Sequence, residues 1–173
     1  MIQVRVAEAR DGDALGEVHA AAWKAAYAPM FQPEFAARAV ESRRGRWHQR
    51  IAEGAGPILL AELDDRPLAL SFCMPSSPLV GLAEIYSFYG HPEGWGSGVA
   101  AALMAETLRN LHRNGYADVH LWTLKSTAQS RRSTLNAALP SLVPNGRMTL
   151  VMADPSSNSN IDDLLSRGRR RRN

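Results

Sequence analysis

A glycine-rich loop between an apolar strand and an amphipathic helix constrains this chain more than any other feature. Gly94, Gly96 and Gly98 alternate in the loop, and a helical pattern begins near Val99. Glycines permit sharp turns and let a ligand approach backbone N–H groups closely. The first turn of the helix adds unpaired N–H donors and the positive end of its dipole. The pattern favours an anion site suited to a pyrophosphate, against the alternative of a connection that binds nothing.

The two most common nucleotide motifs do not describe this loop. Its sequence, HPEGWGSGVA over residues 91–100, lacks the G-x-x-x-x-G-K-[ST] pattern, which excludes a P-loop. It also lacks G-x-G-x-x-G within a strand–helix–strand unit, which disfavours a Rossmann site for a dinucleotide.

Apolar periodicity predicts an α/β fold with a mixed central sheet flanked by helices. Asp11 or Asp13 is a candidate cap for the first helix, and residues 64–66 form a candidate tight turn. The predicted strands are Gln3–Ala7, Ile58–Leu63, Pro67–Cys73, Leu82–Tyr89 and Val119–Leu124, and the predicted helices are Ala14–Tyr27, Glu34–Glu53 and Val99–Asn114. The strands and helices do not alternate regularly, which argues against an all-parallel sheet.

Composition narrows the class of protein further. The single cysteine, Cys73, excludes an intrachain disulfide and a cysteine-based zinc site, and its apolar strand predicts an inert core thiol. His48, His112 and His120 show no metal-ligand spacing with one another, so no metal is expected. We find neither an apolar run long enough to span a membrane nor a signal-peptide pattern, and therefore expect a cytoplasmic, single-domain protein.

Residues 84–100 resemble the GNAT superfamily of N-acetyltransferases. The family motif [QR]-x-x-G-x-[GA] matches Gly98 and Ala100, whereas Trp95 stands where the family has Gln or Arg. The lead-in over residues 84–93, which ends in His-Pro-Glu, and the run over residues 19–27 are also similar to that family. The resemblance extends from residue 2 to about residue 132.

This resemblance implies a GNAT-type fold and acetyl-CoA as co-substrate, with transfer to a primary amine. It implies that backbone groups of Phe88 and Gly90 line the thioester and the pantetheine arm, although Gly90 replaces the usual β-branched residue. The N–H groups implied to hold the pyrophosphate are those of Trp95, Gly96, Ser97, Gly98, Val99 and Ala100. The acceptor is a small molecule or peptide of unknown identity, and homodimer formation is left open.

Amine acylation requires a base, because only a neutral amine attacks a thioester and an alkylammonium has a pKa near ~10. Glu84 is the candidate, since the resemblance places its strand beside the cofactor. The alternative for Glu84 is a surface glutamate at the end of a strand.

A second candidate surface lies on the first helix. His19, Trp23 and Tyr27 recur every four residues and share one helical face. Trp23 and Tyr27 are therefore candidate acceptor-binding residues, together with Met30 and Phe31. The simpler interpretation of this face is core packing.

The resemblance stops after Arg132. Residues 125–173 hold nine Lys/Arg against three Asp/Glu, whereas residues 1–124 hold 11 against 14. When Ser133–Leu139 is written TCT ACA CTG AAT GCG GCT TTA, one restored T gives Phe-Tyr-Thr-Glu-Cys-Gly-Phe, similar to the missing family segment. In the same frame Met148–Thr149 must encode Asp and Met152–Ala153 must encode Gly. We therefore interpret residues 1–132 as a GNAT domain and residues 133–173 as frame-shifted sequence.

Two alternatives follow from this C-terminal segment. Loss of the family segment, including the tyrosine that the resemblance implies as general acid, predicts an impaired acyl-CoA-binding module. Alternatively, residues 133–173 are a native basic tail that contacts nucleic acid. The absence of aromatic residues from the tail disfavours nucleic acid as a partner. A short strand is expected within this segment, over Thr149–Ala153.

Overall fold

The computed structural model describes residues 1–76, 81–124 and 147–153, with side chains described up to residue 121. The chain forms six strands and four helices in these ranges: β1 (Ile2–Val6), α1 (Gly12–Tyr27), α2 (Pro33–Gly45), α3 (Trp47–Glu53), β2 (Ile58–Leu63), β3 (Arg66–Pro75), β4 (Leu82–Gly90), α4 (Val99–Arg113), β5 (Asp118–Leu124) and β6 (Arg147–Ala153). Single turns of 3-10 helix lie at Ala9–Asp11, Ala28–Met30 and Pro92–Gly94.

The strands form one mixed sheet in the order β1-β2-β3-β4-β5-β6. The first four strands are mutually antiparallel, and β4, β5 and β6 then run parallel. Asp64 and Asp65 join β2 to β3 with φ of 49° and 62°, the left-handed conformation that a tight hairpin requires. The expected mixed α/β fold and this turn are confirmed.

Helices cover both faces of the sheet. On one face α4 packs against β4 and β5, where Ile85, Met104 and Leu121 form a buried cluster. On the other face α1 and α3 pack on β2 and β3 through residues that include Leu15 and Trp47. The apolar side of α4 that faces the sheet is buried and includes Val99, Leu103, Leu108 and Leu111.

The helix predicted over residues 34–53 is two helices, so that prediction is wrong at its centre. The chain turns at Arg46, and Trp47 begins α3 as a fully buried residue. The helices α1 and α2 approach each other closely just before this turn. A Cβ added to Gly16 on α1 would lie 2.1 Å from the carbonyl oxygen of Arg44 on α2. Tertiary packing therefore overrides the continuous helical pattern.

The predicted cap of α1 also differs. Asp11 occupies the position before the helix, but its side chain makes no capping bond to α1. Its carboxylate instead accepts hydrogen bonds from Arg5 at 2.7 and 2.9 Å and from the Glu8 N–H at 2.7 Å. A charge-assisted bond from a nearby guanidinium is stronger than a cap bond from an amide, which accounts for the difference.

The strand expected over Thr149–Ala153 exists as β6, which begins two residues earlier and pairs with β5 from Asp118↔Arg147 onward. The remaining C-terminal predictions concern residues 125–146 and 154–173, which lie outside the described residues. None of the helices in the described ranges is both long enough and apolar enough to cross a membrane.

Candidate functional site

The candidate site lies where β4 and β5 stop pairing. Their last paired residues are Ile85 and Leu121, although β4 continues to Gly90 and β5 to Leu124. On its other side β4 stays paired with β3 as far as Ala69↔Gly90. The second half of β4 therefore presents a strand edge that no described strand occupies.

Phe88 and Gly90 turn their backbone groups toward this open edge. The next residue, His91, donates its N–H to the Leu68 carbonyl oxygen on the β3 side at 2.8 Å. Successive residues of a strand direct their N–H and C=O groups to opposite sides, so Gly90 and Phe88 direct theirs away from β3. Consistent with this direction, the Gly90 carbonyl accepts a hydrogen bond from Trp95 Nε1 at 3.1 Å.

The loop after β4 uses only some of its N–H groups internally. Trp95 and Ser97 donate theirs to carbonyl oxygens of the loop at 3.1 and 3.2 Å. Val99 donates its N–H to Ser97 Oγ at 3.3 Å. Within the part of the chain that the structure describes, the N–H groups of the other three candidates have no acceptor, namely Gly96, Gly98 and Ala100. These three donors, at the start of α4, are the ones available to an anion.

Glycine is required in this loop for conformational reasons. Gly96 and Gly98 have φ of +80° and +88°. A Cβ at Gly98 would come no closer than 3.7 Å, to Ile2 Cδ1, and one at Gly96 would meet nothing within 4 Å. Side chains therefore fit, but the left-handed backbone is strained for any other residue.

Glu84 is 3% exposed, so the alternative of a surface glutamate is wrong. Its neighbours Ala83 and Ile85 belong to the cluster under α4, and Glu84 therefore faces the side of the sheet that carries α1 and α3. The carboxylate Oε2 lies 3.2 Å from Nε2 of His120, which pairs with Glu84 across β4 and β5. The sequence did not predict the contact between His120 and Glu84. Side-chain alternation along β5 indicates which face of the sheet His120 occupies, but not which strand lies beside β5.

Trp23 is 1% exposed and packs between α1 and α2 against Ala36 and Ala39. Its ring stacks on Phe31 at a centroid distance of 5.7 Å, and the Arg43 guanidinium lies 4.4 Å from it. Tyr27 is half-buried beside it. This cluster is separate from the one around Glu84, and core packing accounts for Trp23. The acceptor-binding role of Trp23 and Tyr27 stays a prediction.

His19, on α1, packs against β4. Its ring stacks on Tyr89 at 4.0 Å, and its Nδ1 accepts a hydrogen bond from Trp47 Nε1 at 3.2 Å. Burial, with the positive charges of nearby arginines, lowers the pKa of His19 well below its ordinary value. The ring is therefore neutral with its proton on Nε2, which confirms core packing for this residue.

Two other candidate residues have structural positions. His91 accepts a hydrogen bond from the Glu93 N–H at 3.2 Å through Nδ1 and so stabilises the turn that follows β4. Cys73 is a buried free thiol, and desolvation raises its pKa to about 12, which confirms an inert core residue. Within residues 1–76 and 81–121, no three side chains of His, Cys, Asp or Glu lie close enough together to hold a metal ion.

The fold is shared with solved N-acetyltransferases. The PaiA N-acetyltransferase of Thermoplasma acidophilum in complex with coenzyme A superimposes with a TM-score of 0.69 at 17% identity, covering 79% of this chain and 87% of that one. A GNAT family acetyltransferase from Brucella melitensis in complex with acetyl-CoA gives 0.54 at 20% identity, covering 76% and 80%. The ribosomal-protein-S18-alanine N-acetyltransferase of Escherichia coli gives 0.55 at 14% identity, covering 79% and 76%.

Sequence comparison identifies the family. A search of curated proteins gives no significant match. The family model described as "Acetyltransferase (GNAT) family" matches residues 20–133, which is more than half of the chain and includes the open edge of β4, the glycine loop and α4. The chain therefore belongs to the GNAT acetyltransferase family.

Proposed function

We propose that this protein transfers an acetyl group from acetyl-CoA to a primary amine. The observation that carries the proposal is that the open edge of β4 leads directly into a glycine loop in which Gly96, Gly98 and Ala100 keep N–H groups available to an anion. The two relatives solved with coenzyme A and with acetyl-CoA support this ligand. The acceptor is a small-molecule or peptide amine, and the relative named for a ribosomal protein alanine supports the peptide class.

The cofactor would bind mainly to the backbone. The N–H groups of Gly96, Gly98 and Ala100, with the positive end of the α4 dipole, suit a pyrophosphate. The amides of a pantetheine arm can pair with Phe88 and Gly90 as an added strand would. The hydrogen bond from Trp95 Nε1 to the Gly90 carbonyl occupies one acceptor of this edge, so the indole must move if the arm uses it.

The reaction is an acyl transfer through a tetrahedral intermediate. The Glu84 carboxylate takes a proton from the ammonium group, directly or through water, and the neutral nitrogen then attacks the thioester carbonyl. The carbon–nitrogen bond forms as negative charge develops on the carbonyl oxygen, where a backbone N–H of β4 can stabilise it. Collapse of the intermediate breaks the carbon–sulfur bond, the nitrogen loses its second proton as it becomes an amide, and the departing coenzyme A thiolate takes up that proton, directly or through water.

A catalytically impaired acyl-CoA-binding module is the second candidate, favoured by the loss of family resemblance after Arg132. Calorimetry with acetyl-CoA and a thiol-release assay with a panel of amines separate the two candidates. Binding with turnover supports the enzyme, and binding without turnover supports the module. Gly98→Glu should abolish binding, because a carboxylate would lie beside the pyrophosphate. Unchanged affinity in that variant would refute the site.

Glu84→Gln tests the base. We expect kcat to fall by roughly 10²–10⁴-fold with little change in acetyl-CoA affinity, because only proton transfer is lost. Glu53→Gln, an exposed substitution at the end of α3, is the matched control and should leave kcat unchanged. Full activity of Glu84→Gln across the pH range would remove Glu84 from the mechanism.

A further inference from the structure

A buried carboxylate–imidazole pair lies at the point where β4 and β5 separate. Glu84 Oε2 and His120 Nε2 are 3.2 Å apart, and the two side chains are only 4% and 13% exposed. The residues are direct partners in the parallel register, one pair before the last paired residues, Ile85 and Leu121. The sheet itself therefore fixes their separation, and both side chains lie on the face that carries α1 and α3.

We propose that His120 is a positioning residue that orients the Glu84 carboxylate and controls its ability to accept the proton of the amine. This inference rests on the proposed function. A buried carboxylate is costly unless it accepts hydrogen bonds, and a neutral imidazole supplies one N–H donor. A hydrogen bond donated by His120 Nε2 to Glu84 Oε2 holds the carboxylate in one orientation near the point where β4 and β5 separate.

The same contact makes the base sensitive to pH. Once the ring takes up a second proton, Glu84 faces an imidazolium, which stabilises the carboxylate and weakens it as a proton acceptor. An ordinary imidazole makes this change near pH ~6.5, within the physiological range. Proton transfer to Glu84 through this contact is therefore expected to weaken on acidification, above the range in which an ordinary carboxylate is protonated.

Among the described residues, the other charged and titratable groups on this face, apart from His19, belong to types whose ordinary pKa lies outside that range. Ordinary arginine and aspartate remain charged and ordinary tyrosine remains neutral between about pH 5 and 9. His19, on α1, is kept neutral by burial. In the part of the chain whose side chains are described, this face holds Tyr86 and Tyr89 of β4, Arg50 of α3 with its guanidinium 4.9 Å from the Tyr86 ring, Asp118 of β5, and the uncharged Met74 opposite Glu84 on β3.

The dependence of kcat on pH tests the proposal. Wild type, His120→Gln and the control His112→Gln, at the exposed end of α4, are compared from pH 5 to 9 at saturating acetyl-CoA and amine. Glutamine keeps an N–H donor but does not titrate. We expect the acidic limb of His120→Gln to move down by at least about one pH unit, toward the carboxylate range, and the limb of His112→Gln to match wild type. If the acidic limb of the kcat–pH profile were the same in His120→Gln and in wild type, the proposal would be overturned.

A second measurement does not depend on turnover. The ring N–H signals of the histidines are compared by NMR at one neutral pH in wild type and in Glu84→Gln, with His120 assigned from its missing signal in His120→Gln. Replacing the carboxylate by an amide should move the His120 Nε2–H signal, because a charge-assisted hydrogen bond becomes a neutral one. An unchanged signal would overturn the pairing. An absence of acetyl-CoA-dependent turnover in wild type would instead refute the proposed function.

Discussion

Two glycines at opposite ends of α4 allow a matched test of the candidate cofactor loop. Gly98 and Gly115 have nearly the same left-handed backbone, with φ of +88° and +86°. An added Cβ would contact only Ile2 Cδ1 at 3.7 Å in the first case and nothing within 4 Å in the second. Gly98→Ala and Gly115→Ala therefore introduce the same conformational strain, about 1–2 kcal/mol, without a steric clash.

The two variants differ in what the strain does to ligand binding. In Gly98→Ala the free loop can relieve strain by leaving the left-handed conformation, which turns its N–H groups away from the ligand. Binding must then restore that conformation, so the strain of about 1–2 kcal/mol appears as an affinity roughly 5- to 30-fold weaker. Gly115 follows the C-terminal end of the 15-residue α4, about 22 Å away, and cannot affect the loop in this way.

Calorimetry with acetyl-CoA and urea unfolding of both variants provide the measurements. We expect Gly115→Ala to lose stability and keep wild-type affinity. We expect Gly98→Ala to bind acetyl-CoA more weakly than wild type. Any strain that the free loop keeps should instead lower the unfolding free energy of the variant. Equal acetyl-CoA affinity in the two variants and wild type, together with wild-type stability of Gly98→Ala, would show that no ligand engages this turn, and the reasoning from loop conformation to cofactor binding would fail.

Two further predictions concern regions away from the loop. Asp11→Asn should lower the unfolding free energy by about 1.5–3 kcal/mol at pH 7, because two charge-assisted bonds from Arg5 are weakened. Those bonds hold the pKa of Asp11 below its ordinary 3.8, so the wild type keeps this stability above pH ~4 and loses it as pH falls through the depressed pKa. The difference in unfolding free energy between Asp11→Asn and wild type, measured with urea, should therefore be smaller at pH 3 than at pH 7. A difference that does not change with pH would contradict the ion-pair argument. Restoring one base before the codon of Ser133 should raise acetyl-CoA-dependent turnover on a panel of amines. Equal turnover of the two chains, or a protease-resistant tail in the present one, would refute the frame-shift interpretation.

The local features of the fold could be predicted from the sequence. The bounds of β2, Ile58–Leu63, follow from its apolar run and the aspartate turn behind it. The start of α4 at Val99 follows from the glycines before it and the apolar spacing within it. These signals are local, because side-chain alternation, helical spacing and glycine conformations depend on residues close together in the chain.

Other features required the tertiary structure. The helical pattern over residues 34–53 gives no sign of the turn at Arg46, which packing of Trp47 against α1 and the sheet imposes. Asp11 fits a helix cap by sequence, yet it binds Arg5 on β1. In both cases a partner distant in sequence or in another element outweighs the local preference.

The candidate site divides in the same way. By itself the sequence determined that a glycine loop precedes a helix N-terminus and that Glu84 lies on the strand leading into it. Only the tertiary structure decided that β4 and β5 part after Ile85, and that Glu84 meets His120, 36 residues away in the chain. The physical reason is that strand order and the point where pairing ends depend on how helices pack on both faces of the sheet, which no local pattern encodes.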